Sequence, residues 1–187
     1  MRILAYSPNR KSGTISSVGG LKIPPVDAYI AGYQYCAKQV NPDVKTLNGY
    51  SQDFVDPAKC KEIALNQIGD GSQVVFQVAG QCGLGALDAA KEKNVQGIGV
   101  DADQAYLGPQ VLTSALKKVD VAVFDTAKDI QAGSFKAGTD TVFDIKSSGV
   151  GLGKVSSAGQ PFKSDVDKVQ QQIAGGEVKD IPDEVGK

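Results

Sequence analysis

Two short stretches of this chain hold residue types that could bind a ligand, Gly80-Gln81-Cys82-Gly83-Leu84-Gly85 and Asp101-Ala102-Asp103-Gln104. The first offers backbone N–H groups at the start of a helix, which suit an anion or an oxygen-rich group. The second offers carboxylates and an amide, which accept hydrogen bonds from hydroxyls. The apolar run from Val74 to Ala79 comes before the glycines and reads as a strand buried on both faces. A short alanine-rich helix follows, and a second run, Ile98 to Val100, leads into the aspartates. The order strand, glycine turn, helix, strand, acidic loop puts both loops at the carboxyl ends of parallel strands, where open α/β sheets bind ligands. A small polyhydroxylated molecule is the ligand class these groups suit.

Each candidate has a plainer alternative. With Asp101 downstream, the glycine turn imitates a dinucleotide fingerprint, but from Gly83 the chain reads Gly-Leu-Gly-Ala-Leu-Asp and lacks the third glycine. Asp101 and Asp103 stand two apart in the acidic loop. One carboxylate accepting two vicinal hydroxyls fits better than a shared acid–base or metal pair, and helix capping by Asp103 is its structural alternative. Tyr29, Tyr33 and Tyr35 fall on one helix; Tyr33 has core spacing, and Tyr29 lies near the strand ends, where its ring could stack on a planar ligand. Lys117-Lys118 reads first as a solvated face. Ser114 has no base to activate it, because the chain has no histidine; Ser-His and Cys-His nucleophile pairs are thereby excluded.

These residues need a frame. Gly13 to Gly20 reads as a strand, and Pro24-Pro25 opens a helix whose Ile30, Tyr33, Ala37 and Val40 recur at helical spacing until Asn41-Pro42-Asp43. Val44 to Asn48 is the next strand, with Asn48-Gly49 as its end loop. Asp56-Pro57 starts a helix that stops at Gly69-Asp70-Gly71. Val111 to Leu116 forms a short strand or a turn, Val119 to Ile130 is helical and closes at Gly133, and Thr141 to Ile145 is strand-like. This alternation predicts an α/β fold, a doubly wound parallel sheet of about five strands up to residue 145. Beyond it come the extended, glycine-rich 147–153, an amphipathic helix over Ser164 to Ala174 with the stripe Val166, Val169 and Ile173, and a polar tail.

A net charge of -1 and a pI near 5.4 give no reason to expect nucleic acid as a partner. No apolar run approaches the ~20 residues of a membrane span, and the apolar part of Met1 to Pro8 is too short for a signal peptide. The three cysteines, Cys36, Cys60 and Cys82, lack metal-ligand spacing. They are either free thiols or include one disulfide. Cys60–Cys82 is then the favoured pair, since the second and third crossover helices should share a face of the sheet.

Taken in order, Ser-Gly-Thr-Ile-Ser-Ser-Val-Gly-Gly, Ile23-Pro24-Pro25, Ala31-Gly32-Tyr33, Val40-Asn41-Pro42-Asp43, Asp56-Pro57-Ala58-Lys59, Phe76-Gln77-Val78-Ala79-Gly80, Gly99-Val100-Asp101-Ala102-Asp103-Gln104, the run Val111 to Asp120 and Gly149-Val150-Gly151-Leu152 form a recognisable series. From about residue 11 onward the chain resembles the basic membrane protein family, substrate-binding lipoproteins of ABC importers that include purine nucleoside receptors. The resemblance implies one lobe of a type I periplasmic-binding-protein fold, with no catalysis and no cofactor. By position it implies that Tyr29 stacks the base, that Gly80 is the loop glycine and that Asp101 holds the ribose hydroxyls. Gln81 and Asp103 beside them, with Lys117, complete the candidate ligand set.

The family's first lobe has no counterpart here. Residues 1–10 are therefore read as an unmatched leader, 11–146 as the ligand-binding lobe, and 147–187 as a segment and helix returning toward a missing first lobe. The expected partners are a nucleoside-like small molecule, an ABC permease, and either a second copy of the chain or a separate first lobe. An extracytoplasmic location is implied, without a signal peptide or lipid-anchor cysteine in this chain. The competing functions are a nucleotide-cofactor enzyme domain and a regulatory lobe that binds no ligand.

Overall fold

The computed structural model describes residues 13–186, so the leader reading of 1–10 lies outside the described residues. Among the described residues, six strands form one sheet: β1 (Thr14–Gly19), β2 (Lys45–Tyr50), β3 (Ser72–Val78), β4 (Gln96–Asp101), β5 (Val111–Lys117) and β6 (Val150–Leu152). Five α-helices accompany them: α1 (Pro24–Val40), α2 (Pro57–Gly69), α3 (Gly83–Glu92), α4 (Val119–Ala132) and α5 (Lys163–Gly175). The strand order is β2-β1-β3-β4-β5-β6. The first five strands are parallel, and β6 closes the far edge antiparallel to β5. The order reverses between β1 and β3, so the crevice that such sheets use for ligands lies at the carboxyl ends of those two strands.

Burial on both faces explains the apolar runs. Within β3, Val74, Phe76 and Val78 join Ile15, Ile30, Ile98 and Leu112 in a core under α1. Val75 points the other way, joining Val18, Cys60, Ala64, Cys82 and Ala86 in a second core under α2 and α3. Local chemistry sets the helix ends. Asp56 Oδ1 accepts from the Ala58 amide at 2.9 Å, with Pro57 in the first turn, and Gly133 stops α4 in a left-handed conformation (φ 71°).

Two sequence expectations are corrected. Thr141 to Ile145 forms no strand, and Val142 is 79% exposed. The edge it would need is occupied, because β5 takes the fifth place and pairs with β6 on its open side. Asn48-Gly49 is not an end loop but part of β2. The Ser17 hydroxyl donates to Asn48 Oδ1 at 2.8 Å, and a Cβ at Gly49 would lie 2.8 Å from Ile63 Cγ2, so glycine lets α2 come close to the sheet.

Cys60 and Cys82 form a disulfide, and Cys36 is free and buried. The bond ties α2 to the turn that starts α3, closing a loop with a sequence separation of 22. Restricting the unfolded chain in this way contributes about 3 kcal/mol. Reduction, or the double Cys→Ser variant, is therefore expected to lower Tm by roughly 10 °C. Superimposable melting curves with and without reductant would show that the bond adds no stability.

The stripe of α5 lies against this lobe. Val166 packs on the α1-side core, and Val169 and Ile173 face α1 across an apolar cavity. Helix α4 buries none of its residues, and Val123, Phe124 and Ile130 are each 60% exposed or more.

Candidate functional site

The glycine turn is explained first by packing. A Cβ on Gly85 would sit 1.9 Å from the Pro57 carbonyl oxygen, and one on Gly83 would sit 1.8 Å from Gln77 Oε1. These glycines let α3 nest against α2 and the end of β3. The ring of Phe54 lies over Gly20 and Gly80 at the switch point, and its carbonyl accepts from the Cys82 amide at 3.0 Å. The amides of Ala79, Gly83, Leu84 and Gly85 also bond within the turn. Among the described residues, Gly80 (φ 55°) and Gln81 keep the turn's unpaired amides. That is too few donors for a pyrophosphate cradle, but enough to hold one or two neutral oxygens.

Asp101 ends β4 with φ 65°, a left-handed backbone uncommon for a residue with a side chain and often found where function demands it. Its carboxylate is 46% exposed and pairs with Lys117 Nζ at 2.9 Å from the end of neighbouring β5. The hydrogen bond to Asp101 raises the Lys117 pKa, and the Tyr29 hydroxyl lies within electrostatic range of both charges. Burial pushes the Tyr29 pKa up. Tyr29, Asp101 and Lys117 thus converge at one edge of the sheet: a ring, an acceptor with free lone pairs and a cation. Gly80 and Gln81 lie at the end of β3, the strand next to β4.

Asp103 is set apart. Its Oδ1 accepts from the Ala105 amide at 3.2 Å and its Oδ2 from the Lys154 amide at 3.2 Å, so both oxygens hold backbone. It anchors the segment after β6 and the first residue of a 3₁₀ turn (Ala105–Leu107), whose N-cap is Gln104 and carries no side-chain cap bond.

Sequence reasoning missed Gln77 and took Gln104 as a ligand acceptor, whereas both fix these loops. Gln77 and Gln104 are buried, and Gln77 Nε2 donates to Gln104 Oε1 at 2.7 Å. The same Oε1 accepts from the Val100 amide at 3.1 Å, and the Gln104 amide donates to Ser114 Oγ at 3.0 Å. This network joins the ends of β3, β4 and β5 and holds the loop that begins at Asp101. A glutamine in the middle of the apolar run of β3 was its one sequence signal. Gln52, left-handed at φ 57° beyond β2, left none.

Asp53 holds the loop that carries Phe54. Its carboxylate pairs with Lys59 and accepts from the amides of Val55 and Asp56. The Lys59 hydrogen bond leads these in lowering its pKa to about 2. The folded value lies below the ordinary one of 3.8, so the stabilisation is present above pH ~4 and fades as pH falls through about 2. A carboxyl-carbon NMR titration is expected to place the Asp53 midpoint near 2; an ordinary midpoint near 3.8 would contradict the anchoring.

The comparisons with known proteins agree with this frame. The family profile described as ABC transporter substrate-binding protein, PnrA-like (Bmp) matches residues 7–185. An ABC transporter nucleoside-binding protein, BmpA, of Lactococcus lactis is 34% identical over 94% of this chain and 55% of its own length. Basic membrane protein D of Borreliella burgdorferi is 36% identical over 76% of this chain and 43% of its own. Among solved structures, a solute-binding protein of an ABC transporter system from Aeropyrum pernix superimposes with a TM-score of 0.77 at 24% identity, covering 98% of this chain and 62% of the other. A transcriptional activator of the comK gene from Bacillus halodurans reaches 0.82 at 21% identity, covering 94% and 61%. These likenesses carry the type I periplasmic-binding fold. The chain spans about half the length of the curated relatives it matches. With its switch-point sheet and its match across nearly every residue, this chain belongs to the PnrA-like family of ABC transporter substrate-binding proteins.

Proposed function

We propose that this lobe supplies one wall of a binding site for a nucleoside or a similar small polyhydroxylated molecule, within a solute-binding component that delivers its ligand to an ABC permease. The observation that carries the reading is the convergence of Tyr29, Asp101 and Lys117 at the carboxyl edge of the sheet. Tyr29 stacks on the base, the free lone pairs of Asp101 accept two vicinal hydroxyls, and Lys117 neutralises the carboxylate and donates to a ligand oxygen. The Gly80 and Gln81 amides add neutral donors. A nucleoside fits this set better than a nucleotide, because the turn's other amides are already used.

Binding outside the cytoplasm agrees with two further facts. The Cys60–Cys82 disulfide belongs to an oxidising compartment, and relatives from Pyrococcus are named lipoproteins. Among the described residues, no helix is long and apolar enough to cross a membrane.

The test is a thermal-shift screen of nucleosides, nucleoside triphosphates, dinucleotides and free sugars, with hits checked by calorimetry. Stabilisation by nucleosides that is absent in Asp101→Ala is the expected result. Stabilisation by dinucleotides or triphosphates alone would favour the cofactor-enzyme reading. No stabilisation by any of them, together with self-association, would favour a regulatory lobe.

A further inference from the structure

Between α1, the β4–β6 side of the sheet and α5 lies an apolar cavity of about 510 Å³ that opens to solvent. Its walls are almost wholly apolar, with Phe76 and Ile98 beneath and Val166, Val169 and Ile173 above. Two features bear on what it could hold. The wall on α1 is a stripe of small residues four apart, Ala28, Gly32 and Cys36. Glycine in mid-helix is disfavoured, yet a Cβ on Gly32 would meet Ile181 at only ordinary contact distance, 3.6 Å. Nothing in the packing requires glycine there; its effect is to leave room. The second feature is polar. Tyr29 and Tyr33 both line the cavity, and each hydroxyl is buried without a hydrogen-bond partner. Tyr33 leans against Phe76, ring centroids 5.1 Å apart, so its ring is held while its hydroxyl is unanswered. A buried donor without a partner is costly, and a ligand acceptor would remove the cost.

We propose that this cavity is a second ligand site, adjoining the nucleoside wall and sharing Tyr29 with it, which takes a small neutral aromatic molecule with one hydrogen-bond acceptor. The ring fills the apolar space and the acceptor receives the Tyr33 hydroxyl. Among the described residues no charged side chain lines the cavity, which favours a neutral ligand. The inference does not depend on the nucleoside reading.

Cys36 makes it testable, because it is the one free thiol and it lines the cavity. Burial raises its pKa to about 11, so alkylation is slow and reports access. Acetophenone, a neutral ring with a carbonyl, is expected to slow Cys36 alkylation at least tenfold at saturation and to raise Tm. Ethylbenzene, similar in shape but without an acceptor, should protect several-fold less, and Tyr33→Phe should erase that difference. Gly32→Leu and Ala28→Leu fill the space, and each should abolish the response to acetophenone without lowering Tm. Failure of acetophenone to protect, equal protection by ethylbenzene, or protection persisting in a folded Gly32→Leu or Ala28→Leu protein would each overturn the proposal. A failed nucleoside screen with intact acetophenone protection would sink the functional reading alone.

Discussion

Replacing Asp101 by alanine is expected to weaken nucleoside binding by roughly 100-fold or more, taking it below detection, while Tm changes by no more than a degree or two. The size follows from chemistry. A carboxylate that accepts two hydroxyls makes two charge-assisted hydrogen bonds, each contributing roughly 1.5–3 kcal/mol. Alanine removes both and leaves Lys117 without its partner. The fold should be indifferent, because the carboxylate is half exposed and the exposed ion pair contributes little stability. Asn keeps the shape and one acceptor, and should lose about tenfold. A 2′-deoxynucleoside should lose a similar amount against wild type, since one of the two hydroxyls is gone. Calorimetric titration of the three proteins checks the series. A uniform loss across all ligands with a lowered Tm would assign Asp101 a structural role instead.

The second large effect concerns folding. Gly85→Ala drives a methyl group to 1.9 Å from the Pro57 carbonyl oxygen, a backbone atom held by the first turn of α2. Relief requires α2 and α3 to separate, and these helices share a core of Cys60, Ala64, Cys82, Ala86 and Ala89 with 0% exposure. Overpacking of this kind costs about 3 kcal/mol, as much as losing the disulfide. Urea unfolding of the variant should show the lower midpoint with an unchanged slope. Gly133→Ala serves as a milder comparison: its Cβ meets nothing within 4 Å, so the left-handed φ of 71° is its whole cost, near 1 kcal/mol. Equal destabilisation by the two would mean that the turn glycines act through conformation and not through close approach.

The contrast between those glycines shows where sequence reasoning reaches. Most strands and helices as far as Gly133 were legible because β3 and β4 are buried on both faces and write themselves as apolar runs, and because Pro24, Asp56-Pro57 and Gly133 mark helix ends. The residues of β5 read equally as a strand or a turn, and the end of β2 reads as a loop. Asp101 was legible as a lone carboxylate closing such a run. The glycine turn was legible as a turn, but whether its amides face a ligand or the chain itself depends on Phe54, a residue from a different loop. The Gln77–Gln104 bond joins positions 27 apart, and only the pairing of β3 with β4 brings them together. Thr141 to Ile145 has the composition of a strand, but a strand needs a free edge, and edges belong to the sheet and not to the segment. Asp103 and Asp101 are alike on paper. The segment after β6, some 50 residues on, claims one of them and leaves the other to solvent.

The most direct test of the central claim is an amide NMR titration of this chain with adenosine. One wall of a two-walled site leaves much of the ligand in water, so the expected dissociation constant is on the order of millimolar. The account predicts saturable shifts confined to Gly80, Gln81, Asp101, Lys117 and the first turns of α1 around Tyr29, all of them lost in Asp101→Ala. Shifts centred elsewhere, or the same saturable shifts surviving in Asp101→Ala, would contradict it.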